Sequence, residues 1–452
     1  MIRVIHWLRR RLRNPGTVVV GWFAITIAIG TVMLSQPLAQ NPDAGPVSIG
    51  DAAFTAASAV TVTGLVVVDT AQTWSLWGEL VILALIQLGG LGILTMAAFF
   101  GIVLSRRLGV RWGLLAGAEI GLSELGVLRS MIGRIVRFVI LSEVVVSVAL
   151  TGGFVYEGSS SFAHAVHLGV FHSVSAFNNA GFSILEGGLE PYVANWYINI
   201  VIVGAFVVGG IGFPVVFELL RRWRSPRTWS LHTKVTLVTT LVLLAGGTLL
   251  IGLAEWNNPS TLEPLSGPDK VLAAGFQSAT ARTAGFNTVP MSGLRPASLV
   301  TMITLMIIGT GAASTGGGIK VSTVLVVFRS WLAEMRGDTD VAVFERRIPS
   351  QLQRQALALV AAAIGVVGGG TLVLSVLHND IPLSDLLFET ASAFGTAGLS
   401  TGVTSDLGGL GQIVVIGLMF IGRVGPITFG TAVLLRHSRR QYQFAQEGLL
   451  VG

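Results

Sequence analysis

Cysteine is absent from all 452 residues, which excludes disulfides and cysteine-ligated zinc without fixing a redox compartment. Charge is scarce as well: Asp, Glu, Lys and Arg supply 12% of the chain, where about 25% is usual for soluble domains. With 52% apolar residues and a mean hydropathy of +0.74, a soluble, disordered or nucleic-acid-binding chain is excluded. Several membrane spans of about 20 residues each are expected instead. Catalytic signatures are missing too. There is no HExxH, no nucleophile elbow and no pair of intramembrane aspartates, so an enzyme is not expected. Nor does a small-x-small cleavage site follow the first apolar stretch, Thr17 to Leu34, which is longer than a signal-peptide core; a retained span is expected there. The net charge of +6 is weak evidence for an acidic partner, because basic residues also gather beside spans for topological reasons.

Long apolar stretches lie near residues 17–35, 76–104, 134–155, 196–220, 235–254, 297–333, 356–377 and 411–435, predicting eight transmembrane helices. Within each successive pair sits a shorter segment that opens on a helix cap or first-turn proline and closes on glycine: Ser48 to Gly64, Ser161 to Gly181, Pro268 to Gly285 and Pro382 to Gly398. Side by side they read FTAASAVTVTGL, FHSVSAFNNAGF, FQSATARTAGF and FETASAFGTAGL. Phe54, Phe171 and Phe388 precede the glycine by ten residues and Ser58, Ser175 and Ser392 by six, whereas Phe276 precedes Gly285 by nine. The predicted fold is an all-α integral membrane protein of four parallel repeats, each a span, a pore helix and a second span, arranged pseudo-fourfold around a central pore. The repeats are expected over 1–105, 106–222, 223–334 (with a broken second span) and 335–435, followed by a C-terminal tail, 436–452.

The charges accord with parallel repeats. Of 29 Lys and Arg, 24 lie in the N-terminal tail, the links between repeats and the C-terminal tail, predicting that these segments and both termini face the cytoplasm. The opposite side holds 14 of 23 carboxylates, a negative mouth that attracts cations. A short helix entering and leaving by one face must be packed within protein, and four of them about one axis make a pore. Backbone carbonyls there can replace the water shell of an alkali cation. Gly64, Gly181, Gly285 and Gly398 suit that task, since glycine accepts unusual dihedrals and leaves no side chain in the lumen.

The run from Gly309 to Lys320 is too glycine-rich to remain helical, so the sixth span is expected to break there. It is not read as a phosphate loop, because Ile319 separates Gly318 from Lys320 and the flanks are apolar spans. Arg423, in mid-span, is expected to be functional, with an interhelical ion pair as the alternative. Arg282 would repel cations if it faced the filter; a place behind it, paired with a carboxylate such as Glu389, is expected. Sequence identifies no partner for Glu143. His164, His167 and His172 share one short helix but lack a further ligand at metal spacing, favouring core or rim histidines. Asp69 is either a mouth charge or a solvated loop residue.

TVTGL at 61–65, ARTAGFNT at 281–288, SAFGTAGLSTG at 392–402, STGGGIK at 314–320 and IGRVGP at 421–426 together resemble the Trk/Ktr/HKT superfamily of cation transporters. Within it the chain is most similar to the bacterial KtrB-type potassium-translocating subunits, and it lacks the extra N-terminal spans of the longer TrkH type. The resemblance implies a selectivity filter of Val62, Thr63, Gly64 and Leu65; Asn179, Ala180, Gly181 and Phe182; Thr283, Ala284, Gly285 and Phe286; and Thr396, Ala397, Gly398 and Leu399. Serine in place of the first glycine accompanies sodium selectivity in the family, so Gly64 implies potassium. The resemblance makes the segment holding Gly309, Gly311, Ser314, Thr315, Gly316, Gly317, Gly318 and Lys320 a mobile loop that obstructs the pore, with Arg423 beside it as part of the barrier.

What the resemblance implies for function is potassium translocation across the bacterial cytoplasmic membrane; the alternative is an ion-coupled secondary transporter with potassium or sodium as substrate. It implies K+ as permeant ion bound by filter carbonyls, Na+ as a candidate activator, and no covalent cofactor. The expected partners are a second copy of the chain, a cytosolic KtrA-type ring that binds ATP or ADP, and membrane lipid, but no nucleic acid. Topology alone explains the charge of RRWRSPR at 221–227 and FERRIPSQLQRQ at 344–355, and lipid headgroups compete for it. By the same resemblance the apolar GLLVG tail helps bury a dimer contact.

Overall fold

The computed structural model describes residues 15–104 and 125–425. The first 14 residues, residues 106–124 of the second basic link, the end of the eighth stretch beyond 425 and the C-terminal tail with GLLVG lie outside the described residues. Because lipid offers no hydrogen bonds to the backbone, apolar runs close their own N–H and C=O groups as helices. In order these are α1 (Pro15–Leu34), α2 (Ile49–Thr61), α3 (Leu76–Leu104), α4 (Leu125–Tyr156), α5 (Phe162–Phe177), α6 (Trp196–Ile211), α7 (Phe213–Arg222), α8 (Leu231–Glu255), α9 (Gly267–Thr280), α10 (Pro296–Ile307), α11 (Val321–Arg336), α12 (Ser350–Leu377), α13 (Leu383–Gly395) and α14 (Gly409–Val424). A two-residue hairpin, β1 (Ala342–Val343) and β2 (Arg346–Arg347), joins α11 to α12.

Four of the expected spans, Thr17–Leu34, Ile132–Tyr156, Leu231–Glu255 and Ser350–Leu377, are unbroken and apolar enough to cross a membrane. The chain is thus a multi-pass membrane protein. Two stretches expected to cross are interrupted. The sixth divides into α10 and α11, as its glycines predicted. The fourth, expected to be continuous over 196–220, instead bends by 102° between α6 and α7. The bend falls at Gly212, whose φ of 103° is open to glycine and strained for other residues.

The short helices α2, α5, α9 and α13 each lie against the long helix that precedes them. Side-chain oxygens of Ser48, Ser161 and Ser266 cap the first three, and Asp51 completes a capping box on α2. The third therefore starts at Ser266, slightly before the expected Pro268. The packing then closes on itself: α3 meets α5, α6 meets α9, α10 meets α13, and α14 returns to α2. Apolar clusters fill all four seams. Each seam takes one of the recurring phenylalanines, Phe54, Phe171, Phe276 or Phe388, all at most 2% exposed. Within a bilayer such seams are held by close side-chain packing, since lipid is as apolar as the protein interior.

Candidate functional site

Each short helix ends in a turn that reverses the chain. In three of them a residue with left-handed φ, Val62 (56°), Asn179 (60°) or Thr396 (50°), follows the helix. The next amide then bonds five residues back: Thr63 N–H to Ser58 O, Ala180 N–H to Ser175 O and Ala397 N–H to Ser392 O. This is the Schellman closure. The third turn is one residue shorter, with Thr283 at φ 65° and Ala284 N–H bonded four back to Thr280 O at 2.9 Å. That shortening is why Phe276 stands nine, not ten, residues before its glycine. Positive φ at a residue other than glycine costs about 1–3 kcal/mol, and three of these four residues are β-branched.

Two residues on, Gly64, Gly181, Gly285 and Gly398 all have positive φ. A methyl group on any of them would lie within 3.0 Å of a carbonyl oxygen from the next strand: Ala180 for Gly64, Ala284 for Gly181, Ala397 for Gly285, and Thr63 for Gly398. The series runs through the chain and closes from the fourth strand to the first. All sixteen residues expected in the filter are in these turns, and the side chains following the glycines point away into the seams. Leu65, Phe182, Phe286 and Leu399 are buried in four different apolar clusters. On one side the ring opens into a cavity of about 420 Å³ lined by all four glycines, Asp69, Asn287 and Ser400. Asp69 also caps the short helix Thr70–Thr73 by accepting from Ala71 and Gln72 amides, so it is a structural cap that lines this cavity. Near this rim, burial raises the Glu190 carboxyl above its ordinary range while a hydrogen bond from Asn287 opposes that shift.

The other side of the ring meets the loop between α10 and α11. Its ends are pinned together by Ile319 N–H donating to Ile307 O at 3.1 Å. Gly316 lies against the Thr283 hydroxyl and Gly317 against that of Thr396, with no room for a side chain on either. Thr315 Oγ1 donates to Asn179 Oδ1 at 2.8 Å. The loop thus touches the left-handed residues of three of the four turns. Beyond it lies a second cavity, about 180 Å³, lined by Phe213, Ser314, Gly316, Gly317, Gly318, Lys320 and Arg423.

The bend at Gly212 belongs to the same assembly. A helix end leaves carbonyls without intrahelical partners, and those of Gly209 and Gly210 accept from Thr315 and Gly311 amides. Phe213 N–H donates in return to Ala313 O at 3.1 Å. Three cationic side chains hold further loop carbonyls: Arg282 reaches Gly309 O (3.3 Å), Lys320 reaches Gly316 O (2.7 Å), and Arg423 reaches Thr315 O. Arg423 also donates to Gly89 O at 2.6 Å, so among the described residues its partners are carbonyls and no interhelical carboxylate.

The expected pairing of Arg282 with Glu389 does not form. Arg282 is buried behind the third turn, at 3.4 Å from Thr240 Oγ1 as well as near Gly309, whereas Glu389 accepts from Ser400 and Thr404. The partner of Arg282 is a loop carbonyl, which spacing along the chain cannot reveal. Glu143 has partners that sequence did not identify, in Gln87 (3.3 Å) and Asn178 (2.9 Å). The histidines separate: His167 pairs with Glu79 at 2.8 Å, and His172 contacts Leu168 O and Ser183 Oγ. Among the described residues no group of three His, Cys, Asp or Glu is placed to hold a metal.

The chain is a helical membrane protein in which the four turns meet, glycine against carbonyl. The family model described as cation transport protein, TrkH, matches residues 9–441, and the chain belongs to that family. It is 38% identical over 427 residues to Ktr system potassium uptake protein B of Bacillus subtilis (strain 168), covering 94% of each chain. It is 37% identical to the protein of that name from Vibrio alginolyticus, covering 94% of this chain and 93% of the other. Among solved structures the fold is similar to the potassium transporter TrkH from Vibrio parahaemolyticus, with a TM-score of 0.71, 20% identity, and coverage of 93% of this chain and 85% of that one.

Proposed function

We propose that the chain translocates potassium through a pore on the axis of four repeats, with the turns at Val62–Leu65, Asn179–Phe182, Thr283–Phe286 and Thr396–Leu399 as its selectivity filter. The observation that carries this reading is the closed series in which each filter glycine abuts the next strand's carbonyl. Small rings of carbonyl dipoles without side chains replace a cation's hydration shell, and the negative ends of four short helices point toward them. The similarity to potassium uptake proteins favours K+ as cargo.

The loop from Gly309 to Lys320 acts as the gate in this reading. It lies across one end of the ring, and Lys320 and Arg423, which line the cavity beyond it, add positive charge where a leaving cation must pass. The basic links face the cytoplasm and the Asp69-lined cavity faces outward, as the charge distribution supports. Regulation comes from a cytosolic ATP- or ADP-binding ring docked on those links, and the chain works as a homodimer in lipid with Na+ as a candidate activator. The Ktr system names of the relatives support a multicomponent assembly. The second broken span weakens one contrast with ion-coupled secondary transporters, which often pair broken helices. Here the two breaks bond each other backbone to backbone. Potassium uptake by purified protein in liposomes tests the reading: downhill K+ flux without any co-ion supports it, and flux that stops when co-ion gradients are removed favours the coupled alternative.

A further inference from the structure

One position recurs in all four short helices and differs in each. It is Thr55, His172, Gln277 and Glu389, the residue that follows the recurring phenylalanine, and every one is at most 1% exposed. Three of these side chains reach the strand that leaves the filter. Ser183 Oγ lies 2.9 Å from His172 Nε2. Because Leu168 O, 2.8 Å from Nδ1, can only accept, Nδ1 carries the proton and Ser183 donates. Gln277 Nε2 donates to Thr288 Oγ1 at 3.3 Å. Glu389 accepts from Ser400 Oγ at 2.8 Å and Thr404 Oγ1 at 2.6 Å. In the first repeat Val66 stands where Ser183 and Ser400 stand in theirs, and Thr55 Oγ1 is buried with no partner.

Burying a polar group costs stability unless it is hydrogen-bonded, and apolar side chains would fill these sites without that cost. The recurrence therefore needs a reason tied to the strands. Resting on the filter reading above, we propose that His172, Gln277 and Glu389 are positioning residues, struts that hold the outer filter strands of repeats two, three and four apart. The first strand, with no strut, is the compliant wall. A ring braced from behind resists contracting around a smaller ion, so the struts contribute to preference for potassium over sodium.

The test cuts the struts from the strand side, with Ser183→Ala and Ser400→Ala, and reads the potassium to sodium uptake ratio in liposomes. His172→Gln and Glu389→Gln serve as the conservative pair, since glutamine is the native strut of the third repeat. The expected result is retained potassium uptake with a ratio lowered about three- to tenfold in the alanine variants, the factor one hydrogen bond supplies, and a ratio near the native value in the glutamine variants. An unchanged ratio in both alanine variants overturns the proposal. So does equal loss of uptake in alanine and glutamine variants, which would mark a purely structural role. Absence of potassium uptake by the unsubstituted protein would instead overturn the filter reading beneath it.

Discussion

At the ring, individual atoms decide the outcome. A methyl group on Gly398 would collide with Thr63 O and crowd the Cα atoms of Gly64 and Gly285, while its φ of 79° is strained for alanine. Gly398→Ala is expected to lower potassium uptake by about tenfold or more, equivalent to at least ~1.4 kcal/mol of added barrier; initial uptake rates in liposomes check this. Arg423 acts in the opposite direction. Its two carbonyl bonds tie the loop to α3, and a hydrogen bond to a charged group is worth about 1.5–3 kcal/mol. Arg423→Ala should therefore raise regulator-free potassium flux by about tenfold; unchanged flux in correctly inserted protein would contradict a gating role. The recurrence of the glycines and the mid-span charge of Arg423 were legible in sequence, because a repeat makes equivalent positions visible and such a charge is conspicuous. The partner of Arg282 was not legible, since a backbone carbonyl has no letter in the sequence.

The gate proposed above consists of two broken spans that complete one another. α6 stops at Ile211 and its free carbonyls take loop amides, while Gly212 turns α7 aside and Phe213 bonds Ala313. Sequence composition showed one break, because three consecutive glycines announce themselves, and missed the other, although Gly209, Gly210, Gly212 and Pro214 gather there, because the apolar run continues through them and isolated glycines also serve small-residue helix packing. Gly212→Ala would press its methyl group onto the Ala312 carbonyl and bias φ away from 103°. The expected consequence is a loosened loop and higher regulator-independent flux, measured as potassium efflux from preloaded liposomes. Deleting several residues between Ala312 and Gly318 should raise flux at least as much. Lower or equal flux in both variants would place the gate elsewhere.

Across the whole molecule, cyclic packing from α3 through α14 back to α2 matches the ring at its centre. The fourfold pattern was readable from four aligned glycines, whereas its closure required knowing which second span meets which short helix. In the proposed pore the repeats are unequal, one strand beginning at Val62 and another at Asn179, so an ion would meet four different walls. The assembly proposed around it predicts that flux with the cytosolic ring differs between ATP and ADP, and that cross-linking in native membranes captures a dimer. Equal flux with ATP, with ADP and without the ring would remove the regulator while leaving the pore. The filter itself is tested most directly by comparing potassium and sodium uptake through the unsubstituted protein and Gly64→Ser in the same liposomes. The account predicts a preference for potassium that falls by about tenfold, or ~1.4 kcal/mol, when serine enters the ring; an unchanged ratio would contradict it.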